Sequence, residues 1–164
     1  MAKPTTYATP ICIGLSIVAA IGLIIGLKTT NPLWIAFFLL PTVIYEIYRT
    51  EGNSTRWSSL MLLAVLILEI IFIIFKINYD LGAYLGQSGT YVGGQFVPLG
   101  DIKVLAPALL AVLSLILFTR TAGIYTKWLS VIIIIASFGL IFTLSQTAFS
   151  DLLRQTIQNA FYYI

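Results

Sequence analysis

Five apolar runs, each about seventeen to twenty-one residues long and nearly free of charge, make up most of this 164-residue chain. That pattern constrains the fold more than any other feature. About twenty apolar residues in a helix span the ~30 Å of bilayer hydrocarbon, and a soluble domain has nowhere to bury five of them. The runs are 7–27, 32–48, 57–77, 102–118 and 127–144. They predict an all-α, polytopic integral membrane protein with five transmembrane helices in a single membrane domain, 1–164. Charged residues make up 9% of the chain, against about 25% in soluble domains, too few to coat a water-facing surface.

Short polar or glycine-rich turns separate the runs. The first follows Lys3, as in a signal peptide, but its length and the lack of a following Ala-x-Ala site favour a retained span. Asn31 then reads as a helix cap and Pro32 as a first helical residue, and Pro41 falls in mid-span, where a kink is expected. The loop 49–56 is the most polar stretch, and its Asn53-Ser54-Thr55 matches a glycosylation sequon that chance alone produces often. The longest connection, 78–101, carries six glycines with aromatic residues between them. It is expected to pack on the membrane surface or to form a hairpin turning at Gly93-Gly94.

The final stretch differs in kind. Phe149, Leu153, Ile157, Phe161 and Ile164 recur at helical spacing, with Asp151, Arg154, Gln155 and Gln158 on the other side. This is an amphipathic C-terminal helix, 149–164, suited to the membrane interface or to a partner rather than to crossing.

Lys and Arg set the orientation. With five spans, Lys3, Arg49, Arg56, Arg120 and Lys127 share one side, and Lys28, Lys76, Lys103 and Arg154 share the other. The majority places the N-terminus in the cytoplasm and the C-terminus opposite. Trp34, Trp57 and Trp128 each open a span, as an interfacial aromatic belt does.

The residues that are missing narrow the function. The chain has no histidine, one cysteine (Cys12) and two methionines. A Ser/His or Cys/His nucleophilic site is therefore excluded, and haem, copper and zinc centres lose their usual ligands. No metal, cofactor or catalytic set is expected. The net charge of +3 is spread evenly, with no basic run interleaved with aromatics, so no nucleic-acid partner is expected.

Glu69 is the first candidate for function. It is an ionisable group deep in a span, and intramembrane acids are functional candidates by default. It reads as protonated packing glue, as an ion or substrate contact, or as a contact to a partner subunit. A count of residues from the membrane face places small residues at its level in the other spans: Ala20, Ala36, Gly139, and Pro107 between Ala106 and Ala108. Pro107 also frees a backbone carbonyl that Glu69 could meet. Glu46 and Arg49, at i and i+3, predict an interfacial ion pair. Gly22 and Gly26 form a Gly-x-x-x-Gly face for helix packing, within the chain or against another protein.

These features favour a non-enzymatic accessory, assembly or structural subunit of a larger membrane complex, with the lipid bilayer and protein subunits as partners. The alternative is a small transporter or ion-conducting protein centred on Glu69. A lipid-active enzyme using Asp80, Asp101, Glu46 or Glu51 ranks third, because nothing gathers two carboxylates beside a nucleophile or metal ligand.

Overall fold

A computed structural model describes residues 7–50, 52–76, 90–92, 95–97 and 102–144. The sequence expectations for 149–164, and most of those for 78–101, lie outside these residues. Five helices are present: α1 (Ala8–Thr29), α2 (Pro32–Arg49), α3 (Asn53–Ile74), α4 (Ile102–Arg120) and α5 (Ile124–Leu144). Two short strands, β1 (Thr90–Val92) and β2 (Gln95–Val97), pair antiparallel with Tyr91 opposite Phe96. That register leaves Gly93 and Gly94 between the strands, as the hairpin expectation required.

Local chemistry explains the helix ends. α1 stops at Thr30, which adopts φ +51°, and the next amide, Asn31 N, donates to Gly26 O at 3.1 Å. The Asn31 side chain then accepts from Leu33 N at 3.1 Å, and Pro32 opens α2, which continues through Pro41. Gly52 supplies the positive φ (+106°) that turns the chain between α2 and α3. Arg56 N donates to Gly52 O at 3.0 Å, so α3 begins at Asn53, and the expected loop up to Arg56 is instead the helix's first turn. Hydropathy marks where a span becomes apolar, whereas the helix itself extends into the polar rim.

Neighbouring helices pack in sequence order, α5 also packs on α1 to close the ring, and α2 reaches across to α5. Thr9 Oγ1 meets Tyr125 Oη at 2.9 Å, and Trp128 Nε1 donates to Ser16 Oγ at 3.0 Å. Farther along, Gly139 lies against Leu23. α1 and α5 therefore run parallel, and the bundle's first and last helical residues lie at opposite ends. Arg49, Arg56, Arg120 and Lys127 sit at one end, with Lys28 and Lys76 at the other.

The core is aliphatic and comes mainly from α2 to α5: Ile35, Leu39 and Val43, then Leu62 and Leu66, Leu110 and Leu117, and Ile133 and Leu140. α1 contributes only small buried residues, among them Cys12, Gly22 and Gly26. A Cβ on Gly22 would come within 2.9 Å of Phe38 Cγ, and one on Gly26 within 2.9 Å of Ile35 Cδ1. The Gly-x-x-x-Gly face thus seats α1 on α2 of the same chain, and any larger residue there would push the two backbones apart.

Three helical segments are long and apolar enough to cross a membrane: Ala8–Thr29, Thr55–Ile74 and Ile124–Leu144. The chain has the character of a membrane protein. Its outer surface carries large apolar side chains on every helix, including Ile17 and Ile24, Phe37 and Ile44, Leu68, Leu115 and Ile135.

Candidate functional site

The inward faces of α2 and α3 carry the site. On α2, Leu39, Thr42, Val43, Glu46 and Thr50 recur at helical spacing, and all are buried. On α3 the buried stripe is Ser59, Leu62, Leu66 and Glu69. The tight turn at Gly52 brings the first polar members of the two stripes together.

Glu46 is 0% exposed. Its Oε1 accepts from Thr50 Oγ1 at 2.6 Å, and Thr50 Oγ1 in turn accepts from Ser59 Oγ at 3.1 Å. Each hydroxyl also has a backbone acceptor within reach, Glu46 O at 2.9 Å for Thr50 and Thr55 O at 3.1 Å for Ser59. A hydroxyl has one proton, so each chooses between its carbonyl and the chain leading to the carboxylate. Glu46 Oε2 has no hydrogen-bond partner.

Arg49 lies three residues on, and its guanidinium sits 5.1 Å from the centre of the Tyr125 ring. Glu46 meets the hydroxyl of Thr50 and, through it, that of Ser59, while the Arg49 guanidinium lies over the Tyr125 ring. The reason is helical phase. Glu46 shares the buried stripe with Leu39 and Thr42, while Arg49 is half-buried at the bundle end, beside the start of α5.

The other buried hydroxyls show how unusual this region is. Among the described residues Thr50, Ser59, Thr121, Thr126, Ser130 and Ser137 are buried and donate to a carbonyl three or four residues earlier. Thr42 and Ser114 are buried too, yet neither hydroxyl has a partner. Thr42 is seven residues from Arg49 and Ser114 six from Arg120. Both therefore lie about 10 Å in from the same end of the bundle.

Glu69 is 1% exposed, and its Oε2 has no hydrogen-bond partner. Leu62 and Leu66 separate it from Ser59 along the α3 stripe. By helical rise Glu69 lies about 24 Å from Asn53, and Pro107, buried on the adjoining α4, about 20 Å from Arg120. Of the small residues expected near this level, Ala36 and Ala106 are buried inside, whereas Ala20 is exposed on the outer surface.

Two apolar grooves lie on the outside of the described bundle. A groove of about 680 Å³ between α1 and α2 is lined by Ile11, Leu15, Phe37 and Ile44, among others. One of about 150 Å³ between α1 and α5 is lined by Ser16, Ala19, Ala20 and Leu23. The polar chemistry therefore lies inside the bundle, not in these grooves.

Sequence reasoning found Glu69 through its apolar flanks. It missed the inward aim of Glu46 and the roles of Thr42, Thr50 and Ser59. A helical-phase signal was available, because Glu46 lies three, four and seven residues from Val43, Thr42 and Leu39. No protein-family model, curated protein or solved structure matches the chain.

Proposed function

We propose that the chain is a non-enzymatic, five-span membrane protein that binds and passes a proton or small cation through its interior, with Glu69 and Glu46 as its working groups. The observation that carries this reading is the pair of carboxylates enclosed by the chain's own helices, each with an oxygen lacking a hydrogen-bond partner. Substrate paths in membranes use more than one intramembrane polar group. Glu46, read from the sequence as an interfacial residue, supplies the second. Both acids face inward, which removes the main reason to assign Glu69 to a partner's surface.

The packing supports the reading of five spans. α2 and α4 lie between the longer helices, and their outward residues, Phe37, Ile44, Val112 and Leu115, are as apolar as the rest of the perimeter. Withdrawing either helix from the bilayer would expose the core side of its neighbours. Arg49, Arg56, Arg120 and Lys127 mark the cytoplasmic end, which puts the N-terminus inside and the C-terminus opposite.

A second reading, an accessory, assembly or structural subunit of a larger complex, is favoured by the amphipathic pattern of 149–164. One preparation separates the two. Gentle detergent extraction followed by reconstitution into liposomes should give a chain without a stoichiometric partner that dissipates an imposed proton or sodium gradient. Glu69→Gln keeps shape but removes the titrating charge, and flux should fall at least tenfold while assembly and thermal stability hold. Wild-type flux in that variant would reject the transport role of Glu69. A silent wild type that extracts with a stoichiometric partner would favour the subunit reading.

A further inference from the structure

Thr42 and Glu46 are one helical turn apart on the same buried face of α2, about 6 Å along the axis. Behind them, Ser59 and Thr50 form a chain of hydroxyls ending on Glu46 Oε1. The free valences are specific. Glu46 Oε2 and Thr42 Oγ1 are both fully buried oxygens without partners, whereas among the described residues the buried hydroxyls of Thr121, Thr126, Ser130 and Ser137 donate to backbone carbonyls three or four residues earlier. Buried oxygens of this kind are costly to leave unsatisfied, and two of them one turn apart on one helix face offer acceptors to a ligand.

The donor set identifies the ligand class. Every candidate ligand atom is oxygen, which suits a hard cation, and there is no histidine in the chain to hold a softer one. The site holds one carboxylate, and among the described residues no three of His, Cys, Asp or Glu gather anywhere. One negative charge balances a monovalent cation, whereas a divalent ion would leave a net charge in a low-dielectric interior. Carboxylate repulsion excludes an anion.

We infer that the Thr42–Glu46 face of α2, backed by Thr50 and Ser59, is a binding site for a dehydrated monovalent cation of sodium's class. This rests on the ion-handling reading above and assigns its binding step to Glu46 rather than to Glu69, which Leu62 and Leu66 hold apart from the site.

The test is thermal unfolding of the full chain in detergent, followed by tryptophan fluorescence, with sodium chloride titrated against choline chloride at fixed ionic strength. Sodium should raise Tm by roughly 5 °C with saturation, the size expected when a ligand far above its Kd binds only the folded state. Thr42→Val and Glu46→Gln should each weaken half-saturation at least tenfold, and Ser130→Ala, whose hydroxyl already donates to Thr126 O, should leave it unchanged. Thr42→Ser, which keeps the hydroxyl, should retain the response even if Thr42→Val fails to fold. Binding of radiolabelled sodium to the wild type, at one ion per chain, provides a second measure. Equal Tm in sodium and choline, or an undiminished response in both Thr42→Val and Glu46→Gln, would overturn the site. Loss of the response in Ser130→Ala would show that it reports general stability and would overturn its assignment to Glu46. A sodium response without flux in liposomes would leave the site standing and reject only the transport function.

Discussion

Glu46 and Glu69 are equally buried, at 0% and 1% exposure, yet they occupy different chemical surroundings. Glu46 lies where α2 meets the start of α3, with Thr42 one turn before it, Thr50 one turn after it and Ser59 hydrogen-bonded to Thr50. Glu69 follows Leu62 and Leu66 on a stripe that is otherwise aliphatic up to it. Hydroxyls can replace the water that a carboxylate loses on burial, but leucines offer nothing in exchange. Burial alone therefore does not define a site. What distinguishes the two acids is the set of donors and acceptors within one helical turn, and by that measure Glu46 is built to hold something while Glu69 is isolated.

The layer between them gives the harshest test of this division. Leu66 is fully buried and contributes to the core shared by α2 to α5. Leu66→Ala should destabilise the bundle by about 3 kcal/mol, through lost burial and the cavity left behind. If the two acids belong to separate sites, the sodium response of the surviving folded protein should keep its half-saturation. A variant that unfolds at the expected lower temperature but also binds sodium several-fold differently would show one continuous polar path, and the contrast between the acids would collapse.

Much of the architecture was readable before any coordinates. Five apolar runs became five helices because a long apolar segment can satisfy its own backbone groups only as a helix. The Asn31-Pro32 start was legible because local chemistry dictates it, and the β1–β2 pairing matches one of the two forms expected of 78–101. The start of α3 at Asn53 was not, since hydropathy marks the apolar boundary and says nothing about a polar first turn set by Gly52. Gly22 and Gly26 could be assigned to packing, but their partners Phe38 and Ile35 come from tertiary contact alone. Glu69 stood out because its neighbours are aliphatic, whereas Tyr45, Tyr48 and Arg49 beside Glu46 look like a membrane rim. Direction was the missing information. A residue near a helix end can face the rim or the core, and only the phase of the whole stripe decides.

Replacing each acid by leucine sharpens the comparison directly. Glu46→Leu removes the acceptor at the end of the Ser59–Thr50 chain, and it should destabilise by about 1.5 kcal/mol in denaturant titrations. The loss stays moderate because both hydroxyls can fall back on the carbonyls of Glu46 and Thr55. Glu69→Leu should change stability by only about 0.5 kcal/mol in either direction, since hydrogen bonds inside membranes are worth little and leucine suits the stripe. Equal losses at the two positions would mean that Glu69 has a polar partner as valuable as the hydroxyl chain of Glu46.

The last effect is the most discriminating, because its sign depends on what surrounds Glu46. Thr42→Val exchanges a hydroxyl for a methyl at nearly constant shape, so packing and β-branching are preserved. In choline buffer the wild-type hydroxyl is a buried group without a partner, and removing it should stabilise the bundle by about 1 kcal/mol. Ser130→Ala is the matched control. Its hydroxyl is buried but already donates to Thr126 O at 2.9 Å, so its removal should be neutral or slightly destabilising, by less than about 0.5 kcal/mol. In saturating sodium the order should invert. The wild type then gains the ligand's binding energy, which Thr42→Val forgoes, and the mutant becomes the less stable protein. A crossing of the two stability curves as sodium rises is therefore the expected result, read by Tm at each concentration. Parallel rising curves would show that the Thr42 hydroxyl takes no part in holding the ion, and flat curves for both proteins would leave Glu46 with its hydroxyl chain as a structural cluster no different in kind from the back-bonded serines of α5.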